Sequence, residues 1–254
     1  MTESMENLKR LLDQCSNEEQ VALLDYLKAR APQHALEKEW GVGAEVILSA
    51  ISRSSDLTKR GVRGIIAEAI FERHVLAALQ DWEKVEAAND LPYDFLIRST
   101  KGKRREARIQ VKLQRMLKHQ PMQASQANRR YPNDMYVVEV QKTRGGIDPK
   151  TNQNTRPYRF GEFDILAVNM HPSTHDWNSF LFALGDWLLP RSENASLIEI
   201  FQPVSRVPNN VWTDKLDVCL QWLVAGDQKR ILEISPDLLK RRKRKPKRPK
   251  RKRS

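Results

Sequence analysis

The sequence predicts a mixed α/β (α+β) fold, with a mixed β-sheet flanked by helices and a helical segment at the N-terminus. Three observations carry this. Residues 61–80 place Val62, Ile65, Ala69, Ile70, Leu76 and Leu79 near helical spacing. Strand-like runs follow at 93–98, 106–114, 135–142 and 160–168, with further candidates at 179–184 and 196–201. A last helix is expected over 213–225, N-capped by Thr213, with Leu216, Leu220 and Leu223 along one side. Helix, strands, helix and more strands in this order suit a layered sandwich.

Taken in order, residues 1–60 read as helical. Ser16-x-x-Glu19 is a capping box that opens an apolar run through Val21, Leu23, Leu24 and Leu27, and Pro32 ends that helix. A shorter helix is expected over 43–53. The segment suits either a dimerisation or DNA-contacting module or a helical wrap around the core. Residues 61–238 form the core domain, in which a polar, helical stretch is expected over 119–130. Residues 239–254 form a basic tail, expected to be disordered because from Lys240 on it cannot bury a core.

Composition excludes several classes. With 254 residues, 40% hydrophobic content and six tryptophans, the chain can build a sizeable core. No run of eighteen apolar residues exists, so no membrane span is expected, and no secretory signal is visible at Met1 to Glu6. Cys15 and Cys219 lie far apart and read as free thiols in a reducing compartment. His171 and His175 are flanked by Pro172 and Ser173, which argues for a loop rather than a metal-binding helix. The net charge is +12, but Lys240 to Arg253 alone hold twelve basic residues and no acid. The remainder carries 32 basic and 32 acidic residues. The tail resembles a nuclear-import signal by composition, but nothing else in the chain reads as eukaryotic. The expected location is a prokaryotic cytoplasm.

The chemistry concentrates in two neighbouring runs. Tyr93-Asp94-Phe95-Leu96-Ile97 follows Pro92, and the turn formers Ser99 to Lys103 lead to the second run. There Ile109, Val111 and Leu113 alternate with Arg108, Gln110, Lys112 and Gln114. Period two puts Gln110 and Lys112 side by side on one sheet face. A hairpin would bring the Asp94 carboxylate to the same spot. An anionic oxygen, a neutral oxygen and a cation together suit Mg²⁺ held against a phosphate.

Pro92-Tyr93-Asp94 followed by Gln110-Val111-Lys112 resembles the PD-(D/E)XK nuclease signature found in many type II restriction endonucleases, in a variant with glutamine at the first position of the tripeptide. Glu68 matches the helix glutamate that often precedes the signature. The resemblance covers roughly residues 61–170 and implies a restriction-endonuclease-like fold with Mg²⁺ as cofactor. Asp94 would be the main metal ligand, because a hard cation prefers carboxylate oxygen. The resemblance implies that the Val111 carbonyl donates a second oxygen. Gln110 would add a neutral oxygen or orient a water, Glu68 would hold an outer water or a second ion, and Lys112 would face the scissile phosphate. Glu139 and Asp164 compete for the acidic role. Residues 143–159 form a long polar loop between strands, in which Arg144, Arg156 and Arg159 suit phosphates or guanine and Asn152 and Asn154 suit adenine edges. It reads either as a recognition loop or as a charged hairpin tip. The expected function is a type II site-specific endonuclease cutting double-stranded DNA, as a homodimer so that two sites cut two strands. The alternatives are a repair or recombination nuclease of the same fold, and a non-catalytic nucleic-acid-binding protein that uses its basic tail.

Overall fold

The structure is a computed structural model that describes residues 3–30, 33–86, 91–102, 105–142, 145–146 and 155–233. The chain divides into two compact units, Met1–Lys59 and Arg60–Ser254.

The first unit is helical. It contains α1 (Glu3–Gln14), α2 (Asn17–Arg30), α3 (Ala35–Trp40) and α4 (Ala44–Arg53). The Ser16 capping box forms, because Ser16 N donates to Glu19 Oε2 at 2.8 Å and Glu19 N donates to Ser16 Oγ at 3.3 Å. His34 and Glu37 cap α3 in the same reciprocal way, and Gly41 closes it with φ +65°. Glu37 Oε1 also accepts from Ala44 N at 2.8 Å, which joins α3 to α4. Pro32 lies outside the described residues.

The next helix, α5 (Asp56–Ile70), contains the division between the units in its first turn. It starts earlier than periodicity predicts because Ser55 Oγ accepts from Thr58 N at 3.2 Å. It passes into a π-helical turn at Phe71–Val75 and a 3₁₀ turn at Leu76–Ala78.

The second unit is built on a five-stranded mixed sheet. Its elements in chain order are β1 (Trp82–Val85), β2 (Phe95–Ser99), β3 (Glu106–Leu113), β4 (Met116–Leu117), β5 (Gln120–Pro121), α6 (Ala124–Ala127), β6 (Tyr136–Glu139), β7 (Ile165–Asn169), α7 (His171–Thr174), β8 (Phe180–Leu184), β9 (Phe201–Val204) and α8 (Leu216–Ala225). The main sheet runs β1-β2-β3-β7-β8, parallel only between β3 and β7. Strands β6 and β9 pair in a separate small sheet, and β4 and β5 form a hairpin. The mixed sheet flanked by helices agrees with the fold class expected.

Register explains the packing. Phe95, Ile109, Ile165 and Leu184 form one row across β2, β3, β7 and β8, and all four are buried. Val111, Ala167 and Phe182 form the next row. Phe71, fully buried, lies 5.3 Å from Phe95, 5.5 Å from Phe180 and 6.3 Å from Phe182 between ring centroids. This aromatic cluster seats the end of α5 on the sheet.

Several boundaries differ from the sequence reading. The stretch 119–130 is helical only over Ala124–Ala127. The run 196–201 is not a strand; Leu197 and Ile198 make only isolated bridges to Arg159 and Pro190, and pairing begins at Phe201. Lys215 occupies the cap position of α8, while Thr213 pairs with Phe182 at the edge of β8 and accepts from Lys215 N. His171 opens a short helix rather than a loop, and its ring stacks on Trp177 at 4.0 Å. Cys15 and Cys219 are free thiols, the second buried. Among the described residues no helix is long and apolar enough to cross a membrane.

Candidate active site

The site arises where β2 stops accompanying β3. Their pairing ends at Phe95 opposite Ile109. From there the chain of β2 turns back through Asp94, whose N–H donates to Ile109 O at 3.0 Å. The Asp94 side chain then takes the role of a missing strand, as Oδ2 accepts from Val111 N at 2.8 Å. One edge of Gln110–Leu113 is thereby left to side chains, and a carboxylate is pinned beside it.

Gln110 and Lys112 share a face of β3, as alternation requires. Gln110 is 1% exposed. Its Nε2 donates to Asp94 Oδ2 at 2.5 Å and to Val111 O at 3.2 Å. Its Oε1 accepts from the Tyr158 hydroxyl at 2.9 Å. The amide therefore presents nitrogen, not oxygen, to Asp94. Among the described residues no donor reaches Asp94 Oδ1, and Lys112 has no ion pair. The Lys112 ammonium lies 5.7 Å from the Tyr158 ring centroid, and that of Lys142 lies 5.4 Å from the same ring.

Glu68 arrives from α5. It follows Ala67, which is fully buried against the sheet, and precedes Phe71 by three residues, so the aromatic cluster fixes its place. Burial, with the Asp94 charge adding to it, pushes its carboxyl up to about 7, and Lys112 partly opposes the rise. Burial lowers the Lys112 ammonium, against the pull of Asp94 and Glu68. Burial, reinforced by Asp94 and Glu162, raises the Tyr158 phenol. Two carboxylates and one cation thus feel one another, with Glu68 and Lys112 half-buried and Asp94 exposed.

The residues fit a hard divalent ion. Asp94, Glu68 and the Val111 carbonyl offer oxygen only, and the mutual repulsion of the two carboxylates is what a cation would relieve. Among the described residues no group of three or more His, Cys, Asp and Glu gathers as a metal cage. Mg²⁺ keeps several of its waters and commonly takes one or two carboxylates, so this donor set suits it.

The competing acids are engaged elsewhere. Asp164 grips Arg108 with both oxygens, at 2.7 and 2.9 Å, and also accepts from Arg108 N at 2.8 Å. Glu139 pairs with Arg115 at 3.2 Å and accepts from Gln141. Of the recognition-loop residues, Arg144, Asn152 and Asn154 lie outside the described residues. Arg156 N–H groups and carbonyl bond to Lys142, and Arg159 N donates to Glu162 Oε2 at 2.8 Å.

Sequence reasoning missed Tyr158 and Lys142. Tyr158 lies 48 positions from Gln110, and no local periodicity could pair them. A tyrosine between Pro157 and Arg159, within the polar stretch 143–159, carries no signal of its own. A scan of protein-family models matches none to this chain, and searches of the curated proteins and of the solved structures find no match either.

Proposed function

We propose that this chain is a Mg²⁺-dependent DNA endonuclease that hydrolyses phosphodiester bonds in double-stranded DNA. The supporting observation is the mutual influence of Glu68, Asp94 and Lys112 beside the Val111 carbonyl, at an edge of β3 left open by β2. Asp94, the Val111 carbonyl and Glu68 would hold the ion. When bound, Mg²⁺ supplies positive charge where the phosphate oxygens gain negative charge. Lys112, without an ion pair among the described residues, sets its ammonium against the phosphate and stabilises the same charge. Glu68, as a ligand, would also orient one of the waters of the ion toward the phosphorus.

The enzyme acts as a homodimer in a prokaryotic cytoplasm, one site for each strand, as a type II restriction enzyme with a fixed site. A Mg²⁺-dependent plasmid-cleavage assay tests the central reading. Asp94→Ala and Lys112→Ala are each expected to lose at least a hundredfold in rate, and wild-type cutting by both would end the proposal. Sequencing of fragment ends then separates restriction, with one recurrent sequence, from repair or recombination. Duplex binding without cleavage in either Mg²⁺ or Mn²⁺ would favour a non-catalytic binder.

A further inference from the structure

Gln110 stands where the PD-(D/E)XK pattern most often has an acid, and its amide is turned so that nitrogen faces Asp94. Direction follows from its neighbours. Asp94 Oδ2 and Val111 O are both acceptors, so only the Nε2 end satisfies them. The reversed amide would set three oxygens together with no donor among them. Oε1 then points into the interior, where among the described residues its partner is the Tyr158 hydroxyl.

Tyr158 is well placed to hold that oxygen. It is 4% exposed. Its ring meets Phe163 edge-on, with centroids 5.3 Å apart at 89°. Two ammonium groups, Lys112 and Lys142, lie near the ring, and Lys142 is itself tied to Glu162 at 2.7 Å. The phenol therefore has little freedom to turn away.

We propose that Tyr158 is a positioning residue that acts through Gln110: its hydroxyl fixes the amide, the amide holds Oδ2 of Asp94, and Oδ1 is thereby kept for the cation. This rests on the metal-site reading above. It assigns Gln110 a donor role rather than a ligand role. A carboxylate in its place has no proton to give Asp94, so the neutral residue belongs to the arrangement. Without the hydroxyl, a buried amide oxygen loses its partner, the amide reorients, and Asp94 Oδ2 is left with the Val111 N–H alone.

The test uses the full chain and reads Mn²⁺ affinity by the electron paramagnetic resonance signal of the free ion. Tyr158→Phe and Gln110→Met are each expected to weaken Mn²⁺ binding by about 10- to 100-fold, the range for outer residues that orient a ligand. The double variant should be no weaker than the weaker single, because the hydroxyl acts only through the amide. Wild-type affinity in Tyr158→Phe, or effects that multiply, would overturn the proposal. Should Tyr158→Phe fail to fold, the wild type alone decides by nuclear magnetic resonance. The Gln110 side-chain amide protons must exchange far more slowly than those of exposed glutamines, and fast exchange sinks the idea. Asp94→Ala separates the two readings. If it binds Mn²⁺ as the wild type does, the metal site itself is wrong. If it loses Mn²⁺ while Tyr158→Phe keeps it, only the Tyr158 role fails.

Discussion

Glu68 concentrates the tension between stability and function. Its carboxyl is pushed up to about 7 by burial and by Asp94, whereas an unfolded chain would ionise it near the ordinary value of 4.5. In acid, below the unfolded value, the group is protonated in both states and costs nothing. As pH rises between the two values, the unfolded chain gives up its proton first, so folding weakens, and the full cost is present above about 7. Glu68→Gln should remove this slope. In EDTA at about pH 8 the variant should be more stable than the wild type by about 1–2 kcal/mol, after discounting for the partial exposure of Glu68. Urea unfolding at about pH 3.5 and about pH 8 checks the sign, because the gain must vanish below the unfolded value. A variant stabilised equally at both values would refute the charge argument. Legibility in the sequence follows from distance. Gln110 and Lys112 were readable because period two is local, and Asp94 because one turn joins its run to theirs. Glu68 sat at the margin of a helical stripe and could be placed only by the resemblance. Tyr158 is joined to Gln110 by tertiary packing alone.

Strand β3 is held differently at its two ends. Its first half, Glu106 to Ile109, pairs with β2, and Asp164 locks Arg108 through side chain and backbone. Its second half is paired to β7 on one side and faces Asp94 on the other. The rigid end and the open end serve separate purposes, which predicts a clean separation of phenotypes. Asp164→Ala should cost about 2 kcal/mol, less than a fully buried pair because Arg108 and Asp164 are both partly exposed. Its Mn²⁺ affinity should stay within about twofold of the wild type, since Asp164 belongs to no part of the proposed metal site. Chemical denaturation and an ion titration measure the two quantities on one sample. A large loss of ion affinity with unchanged stability would return Asp164 to the candidate ligands. Element boundaries were less readable than the elements. Strand β1, Trp-Glu-Lys-Val, alternates poorly because it lies at the edge of its sheet and half its residues are charged. Strand β9 contains Pro203, which reads as a breaker yet is tolerated in a two-stranded sheet. The π-helical turn after α5 has no sequence signature, but it sets Phe71 among the sheet aromatics.

At the scale of the whole molecule, buried structure and charge are unevenly shared. None of the residues from Glu3 to Ser54 whose burial is described is buried, while the second unit holds every buried residue among those described. Large apolar side chains such as Leu11, Val21 and Leu48 are each more than half exposed in the helical unit. A chain that begins at Ser55 keeps the cap of α5 and every buried side chain. It should therefore melt within a few degrees of the full chain, and a collapse of cooperative melting would show that the core needs the helices. Charge is divided just as sharply. Residues 1–239 balance 32 basic against 32 acidic side chains, so the excess of +12 belongs to the tail beyond them. On the proposed function, long-range attraction to a polyanion would come from the tail and the chemistry would belong to the sheet edge. Deleting residues 240–254 should weaken duplex binding at low salt and reduce the slope of log affinity against log salt by up to about 11, the value for twelve phosphate contacts. The cleavage rate at saturating DNA should stay within about twofold, because no residue of the tail is needed at Asp94 or Lys112. Fluorescence anisotropy over a salt series gives the slope, and single-turnover cleavage gives the rate. An unchanged slope would place the phosphate contacts on the folded body, through local segregation of a surface that is neutral in total.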